Sequence, residues 1–201
     1  MLDAAVQMFS VNGYHETSMD TIAAAAQISK PMLYLYYGSK EDLFSACMNR
    51  EMSRFIDVLR TDIDFAQGAK DLLCNTIVSF LRYIDAHRAS WIVMYTQATS
   101  SQAFAQMVRE GRERIIEVVV GLVRAGSRNP RPDAEHEMMA VALVGAGEAV
   151  GSRLSSGEID VNEAARLMID LFWLGLRGAP QDRDIEVSAL PEVGAHNAAT
   201  G

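Results

Sequence analysis

Between Ser29 and Tyr37 the chain sets Lys30, Tyr34 and Tyr36 beside Met32 and Leu35, groups suited to reading another polymer rather than to breaking bonds. A lysine ammonium neutralises phosphate, and phenolic hydroxyls hydrogen-bond to base edges. Methionine and leucine donate no hydrogen bond, so any base reading by them is apolar contact with a thymine methyl. Hydrogen-bonded readout then rests on Lys30 and the tyrosines. Catalytic chemistry is absent from the motifs: there is no Gly-x-Ser-x-Gly, no phosphate-cradling glycine loop and no His-Glu-x-x-His. His15, His87, His136 and His196 are scattered, with no nucleophile nearby in sequence. Cys47 and Cys74 lack the spacing of a metal site and read as reduced, buried thiols of a cytoplasmic protein. The expectation is a protein that is not an enzyme and holds no metal or cofactor.

The elements that must position the reading residues are spelled around them. Thr17, with Asp20 three residues on, has the form of a capping box. Met19, Ile22, Ala23 and Ala26 then share one helical face. Gln27-Ile28 interrupts the run, and Ser29 offers a fresh N-cap ahead of Lys30-Pro31, where a first-turn proline breaks no helical hydrogen bond. From Lys30 onward Leu33 and Tyr37 fall four apart and face inward, leaving Lys30, Met32, Tyr34, Leu35 and Tyr36 toward solvent. Gly38 is expected to end this helix in the left-handed conformation, and Ser39 with Asp42 caps the next one. Upstream, Leu2, Ala5, Val6 and Phe9 form another apolar stripe, closed by Gly13. Two short helices meeting at a tight break have the layout of a helix-turn-helix, which makes DNA binding the leading expectation. The competing reading makes Met32 and the aromatics core residues of an ordinary helical domain.

The segment LDAAVQMFSVNGYHETSMDTIAAAAQISKPMLYLYYGSKEDLF resembles the N-terminal DNA-binding domain of the TetR family of bacterial transcriptional regulators. The likeness covers about the first 45 residues. It is carried by the Ala-Ala, Phe and Gly-Tyr of the first helix and its exit, by Thr17-Ser18, Ile22-Ala23 and Ser29, and by Leu33-Tyr34 and Ser39 to Leu43. The resemblance implies that Lys30, Pro31, Met32, Tyr34 and Tyr36 meet the major groove. It implies further that Lys40 grips phosphate at the head of the fourth helix, and that Thr17 and Ser18 point the second helix at the DNA backbone. Three features depart from the family pattern. Gln27 stands where a glycine is usual, so a residue with a Cβ is expected at positive φ, at a cost of roughly 1 kcal/mol. The arginine-rich arm common before the first helix is not in this sequence, which starts at Met1-Leu2-Asp3. Residues 1 to 45 also hold two lysines, Lys30 and Lys40, against Asp3, Glu16, Asp20, Glu41 and Asp42, a net of −3, so nonspecific DNA binding should be weak and salt-sensitive unless such an arm precedes Met1 in the natural protein.

The whole chain carries a net charge of −8, which argues against a general nucleic-acid coat or an anionic membrane partner. Its longest uncharged apolar stretch, Met138 to Gly147, is far short of the ~20 residues of a membrane span. No segment alternates with a two-residue period, so the chain reads as all-α. Residues 1–45 form the helix-turn-helix domain, 46–178 a helical ligand-binding and dimerisation domain, and 179–201 a small, polar, proline-punctuated tail. Helices are expected from Ser39 to about Arg60, Lys70 to Ala86, Ala89 to Ala98, Ser101 to Ala125, Asp133 to Ser155, and Val161, capped by Asp160, to Leu176.

MMAVALVGAGEAVG, from Met138 to Gly151, is apolar nearly all round, as expected of a helix with a core on one side and a second subunit on the other. Leu143, Gly147, Val150 and Gly151, with Leu167, Leu171 and Leu174 of the last helix, are the expected dimer contacts, the two glycines admitting a partner backbone. A symmetric homodimer would present two recognition helices to a palindromic operator on double-stranded DNA. Phe80, Trp91, Met94, Tyr95, Phe104, Met107 and Trp173 are the expected walls of a pocket for a small apolar or lipophilic inducer. Glu148, a carboxylate among apolar residues, either receives a cationic ligand group or pairs with an arginine at a subunit boundary. The expected function is ligand-responsive repression of transcription, the inducer favouring a conformation with wrongly spaced reading heads. The alternative is a helical ligand-binding or adaptor protein that keeps the fold without specific DNA binding.

Overall fold

The computed structural model describes residues 1–61, 68–97, 102–127 and 131–176. Among them the chain is helical without strands: α1 (Leu2–Glu16), α2 (Met19–Ala25), α3 (Lys30–Tyr36), α4 (Lys40–Thr61), α5 (Ala69–Ala86), α6 (Arg88–Trp91), α7 (Gln102–Gly126), α8 (Asp133–Ser155) and α9 (Val161–Leu176). The expected helix at Ala89 to Ala98 is instead the single turn of α6 running on into a π-helical segment, Ile92–Gln97. The expected tail, 179–201, lies outside the described residues.

Two apolar cores organise these helices. The first, the head, joins Ala5, Val6 and Phe9 of α1, Met19, Ile22 and Ala23 of α2, Leu33 of α3 and Leu43, Phe44, Cys47 and Met48 of α4. The second, the body, joins the far half of α4 (Met52, Phe55, Ile56, Leu59) to α5, α7, α8 and α9. Helix α4 therefore belongs to both, because its buried face runs from Leu43 to Leu59, apolar except at Glu51. A domain cut at residue 45 falls inside this helix.

Capping explains why the head helices start where they do, with one correction. Ser18, not Thr17, caps α2: its Oγ accepts from the Thr21 N–H at 3.1 Å. Thr17 is buried, and its hydroxyl donates at 2.6 Å to the carbonyl of Gly13, which sits at φ +81° and kinks α1 ahead of its last turn. Ser29 caps α3 by accepting from Met32 N–H, and Ser39 accepts from Asp42 N–H at 3.0 Å while donating to its carboxylate. Gln27 is the one non-glycine residue at positive φ among the described residues, at +57°, so the turn is present and strained as the sequence predicts. Gly38 does not adopt the left-handed conformation; α3 ends when Tyr37 switches to extended backbone, φ −133° and ψ 107°. In the body, Asp160 caps α9 by accepting from the N–H groups of Asn162 and Glu163.

Candidate nucleic-acid interface and ligand cavity

Helix α3 turns Leu33 into the head core and presents the rest of its surface outward. Met32 is 46% exposed, Tyr34 43%, Leu35 83% and Tyr36 62%, with Pro31 also at the surface. The face deduced from helical spacing is thus the face the fold exposes. Lys30, also exposed, is held at 2.9 Å by Asp20 of α2, whose carboxylate raises its pKa first by hydrogen bonding and then by charge. Ser18 is exposed at the start of α2.

Lys40 departs from the expected free, phosphate-gripping group. Its Nζ donates to the carbonyls of Tyr14 at 2.9 Å, His15 at 3.1 Å and Thr17 at 3.0 Å, and lies 4.6 Å from the centre of the Tyr14 ring. An ammonium has three N–H groups, and all three are engaged. Lys40 therefore pins the α1–α2 corner to the start of α4. Thr17, buried with its hydroxyl turned inward, is likewise part of the framework rather than of the surface.

The body encloses an apolar cavity of about 80 Å³. Its wall follows α5 from Ala69 to Phe80 and α7 from Ile115 to Gly126, roughly 16 Å along each helix axis, so the space is elongated. Phe55 and Leu59 of α4 close one side, and Leu143, Val144 and Gly147 of α8 with Met168 and Trp173 of α9 close another. Four expected wall residues, Phe80, Trp91, Tyr95 and Trp173, do line it. Tyr95 stacks on Trp91 at 4.1 Å between ring centres, and burial, then Glu148, pushes its hydroxyl well above the usual phenol range. Trp91 Nε1 is buried with no hydrogen-bond partner among the described residues. Three expected residues do not reach the cavity. Met94 is fully buried in the body core behind it. Phe104 packs on Phe44 and Tyr14, at 4.4 and 5.0 Å between centres, and Met107 lies with it. Both belong to the head core, because the start of α7 crosses the head rather than the cavity.

Glu148 is the charged residue of the cavity wall, and its carboxylate accepts from Arg112 Nε of α7 at 3.0 and 3.1 Å. The arginine pairing is intramolecular. Sequence reading missed Arg112, although its helix register places it beside the cavity stripe. It also missed Glu51, a fully buried carboxylate of α4 that accepts from Ser90 Oγ at 2.8 Å and Arg50 Nε at 2.6 Å. Arg50 bonds in turn to Asp3 of α1, so this network ties head, α4 and α6 together.

Residues 1–47 match the N-terminal domain described for bacterial regulatory proteins of the tetR family. Residues 70–175, more than half of the chain, match the tetracyclin repressor-like C-terminal domain. The chain belongs to the TetR family. A solved TetR-like transcriptional regulator from Rhodococcus sp. RHA1 is 48% identical, covers 89% of this chain and 94% of its own, and superposes with a TM-score of 0.75. The transcriptional activator FasR of Mycolicibacterium smegmatis is 27% identical over 91% of this chain and 84% of its own length. The fatty acid metabolism regulator protein of Bacillus subtilis is 25% identical over 63% of this chain, which spans 66% of that protein. FadR of the same species, solved in complex with stearoyl-CoA, shares the fold at a TM-score of 0.71 and 19% identity, covering 89% of this chain and 97% of its own. These relatives are DNA-binding transcriptional regulators with a helix-turn-helix, not enzymes. No helix among the described residues is long and apolar enough to cross a membrane.

In this TetR-family chain the expected dimer contacts divide. Gly147 and Gly151 face inward: a Cβ at Gly147 would stand 3.3 Å from Phe80, and one at Gly151 2.6 Å from Ile84 and 2.7 Å from Trp91. The close approach that these glycines permit is made by the chain's own side chains, Phe80, Ile84 and Trp91, not by a partner backbone. Leu143 lines the cavity, and Val150 packs against the body core. Leu167 and Leu171 do lie on an exposed face, one turn apart on α9, and Met138 is exposed on α8. The Leu174 side chain lies outside the described residues.

Proposed function

We propose that this protein is a ligand-responsive transcriptional repressor that binds a palindromic operator as a homodimer and is released by a lipophilic molecule. The observation that carries the proposal is the span of α4. One helix has Phe44 and Cys47 in the core beneath α3, and Phe55 and Leu59 in the cavity wall. A ligand that spreads the wall moves the helix on which the head is mounted. Residues 1–45 and 46–178 then act as reading and sensing parts joined by a shared helix.

In this reading Met32, Tyr34, Leu35 and Tyr36 enter the major groove while Pro31 starts the helix, and Ser18 approaches the DNA backbone. Lys40 serves by positioning rather than by contact. The exposed faces of α8 and α9, with Met138, Leu167 and Leu171, form the dimer seam. The effector is a long acyl chain, carried for instance by coenzyme A. An elongated apolar cavity supports this, as does similarity to a fatty acid metabolism regulator and to a FadR solved with stearoyl-CoA. An acyl chain needs no polar partner along its length, and the Glu148–Arg112 pair is the charged group positioned for its polar end.

Fluorescence anisotropy of the full chain against the DNA upstream of its own gene, with a scrambled duplex as control, tests the proposal. The expected result is specific binding by a dimer, lost in Tyr34→Ala/Tyr36→Ala with dimerisation intact. No preference over the scrambled duplex, there or in a genome-wide selection of bound fragments, would leave the adaptor reading.

A further inference from the structure

The recognition face contains one group able to make a paired, charge-assisted contact with a base, and the fold has already engaged it. Bidentate reading of guanine uses Arg or Lys, and bidentate reading of adenine uses Asn or Gln. Helix α3 is Lys-Pro-Met-Leu-Tyr-Leu-Tyr; it has no Arg, Asn or Gln, and its lysine is 2.9 Å from the Asp20 carboxylate. The hydroxyls of Tyr34 and Tyr36 are single donors that accept equally well, so they distinguish base pairs weakly. What the helix offers in quantity is hydrocarbon: Leu35 is 83% exposed, the most of any large apolar residue here, and Met32 is 46% exposed one turn before it. Covering that area is favourable only against an apolar surface, and the one apolar group on the floor of the major groove is the C5-methyl of thymine.

We infer that this protein selects its operator through thymine methyl groups packed on Leu35 and Met32, and not through hydrogen-bonded guanine or adenine contacts. The inference rests on the reading of α3 as the DNA-reading helix. It makes Leu35 a specificity-determining residue, and gives each half-site at least one thymine whose methyl, rather than its base-pairing pattern, is recognised. The Lys30–Asp20 pair fits the same picture. It holds the cation against α2, where the Asp20 carboxylate offsets its charge.

The test uses the full-length protein and a duplex chosen by its binding from a random-sequence pool. Each thymine of one half-site is replaced in turn by deoxyuridine, which removes the methyl and leaves the hydrogen-bonding pattern unchanged. The expected result is a loss of affinity of about fourfold at one or two positions, the value of one buried methyl-sized group, and little change elsewhere. In Leu35→Ala at least one of those positions becomes insensitive to the replacement, while the head keeps its helical circular dichroism. If a specific duplex is found but no uridine replacement changes affinity by more than about 1.5-fold, the inference is overturned and the DNA-reading proposal stands. If no duplex is preferred at all, both are overturned.

Discussion

In the head, short helices are fixed by hydroxyl caps at Ser18, Ser29 and Ser39 and by three carbonyl bonds from one lysine. Around the cavity, long helices are held mainly by apolar side chains, with the Arg112–Glu148 pair the directional bond described at its wall. The difference corresponds to what each part has to do. A surface that must match base edges needs a fixed geometry, and short hydrogen bonds to main-chain groups supply it. A wall that must accept a flexible chain needs to yield, and dispersion contacts can be exchanged for contacts with a ligand at little cost. Three features cross the boundary: α4, α7, whose start packs in the head core, and the Asp3–Arg50–Glu51–Ser90 network, in which Glu51 lies fully buried.

The largest effect is expected where the body is tightest. Gly151→Val puts carbon within van der Waals overlap of Ile84 and Trp91 and should cost roughly 3 kcal/mol, read as a lower melting temperature by circular dichroism. A loss near 1 kcal/mol would show instead that Ile84 and Trp91 move aside toward the cavity. Lys40→Met attacks the head instead. It leaves three carbonyls of the α1–α2 corner without their donor, at about 2 kcal/mol. Hydrogen exchange should show the amides of α1 and α2 losing protection while those of α5 and α8 keep theirs; uniform loss would show that head and body unfold together.

A smaller and opposite effect is expected at the strained turn. Gln27→Gly removes the Cβ at φ +57° and should stabilise the head by about 1 kcal/mol, measured by urea denaturation. The pH response separates the regions last. Burial pushes the Cys47 thiol of the head up to about 12, and pushes that of the half-buried Cys74 up as well. A thiol whose pKa is raised on folding favours the folded state below its unfolded value, about 9, and that stability is lost as pH rises toward 12. Tyr83 of the body, also raised by burial to about 12, loses its contribution over the interval beginning near its ordinary value of 10. At pH 8 iodoacetamide should therefore modify Cys74 well before Cys47. Equal rates would mean that the head opens as readily as the body.

The head was legible in the sequence because its determinants are local. A capping serine, a first-turn proline and the alternation of Leu33 with exposed neighbours each act within a few residues, and the spacing of Ser29, Leu33 and Ser39 reports them directly. The misplaced cap at Thr17 shows the limit. Ser18 and Thr17 are chemically alike, and only the turn at Gly13 decides which of them faces inward. In the body, Leu72, Leu73 and Ile77 of α5 and Ile115 and Val119 of α7 recur at helical spacing and line inward faces. That spacing cannot say that the space between those faces is unfilled, because a cavity depends on how several helices cross. For the same reason Gly147 and Gly151 read as contacts for a partner when they make room for Phe80, Ile84 and Trp91. Phe104 and Met107 read as pocket walls but pack in the head core, because no local signal tells where a helix start will lie in the assembled fold.

The central claim is that occupancy of the body changes what the head does. Both tryptophans of the chain, Trp91 and Trp173, line the cavity, so their fluorescence reports filling without a label. The direct measurement is the affinity of the protein for its specific duplex with and without stearoyl-CoA, at concentrations where tryptophan emission shows the cavity filled. At least a tenfold weaker complex is expected with the ligand bound, and by linkage the same factor in ligand affinity when DNA is bound. An unchanged affinity for DNA with the tryptophans fully shifted would contradict the claim.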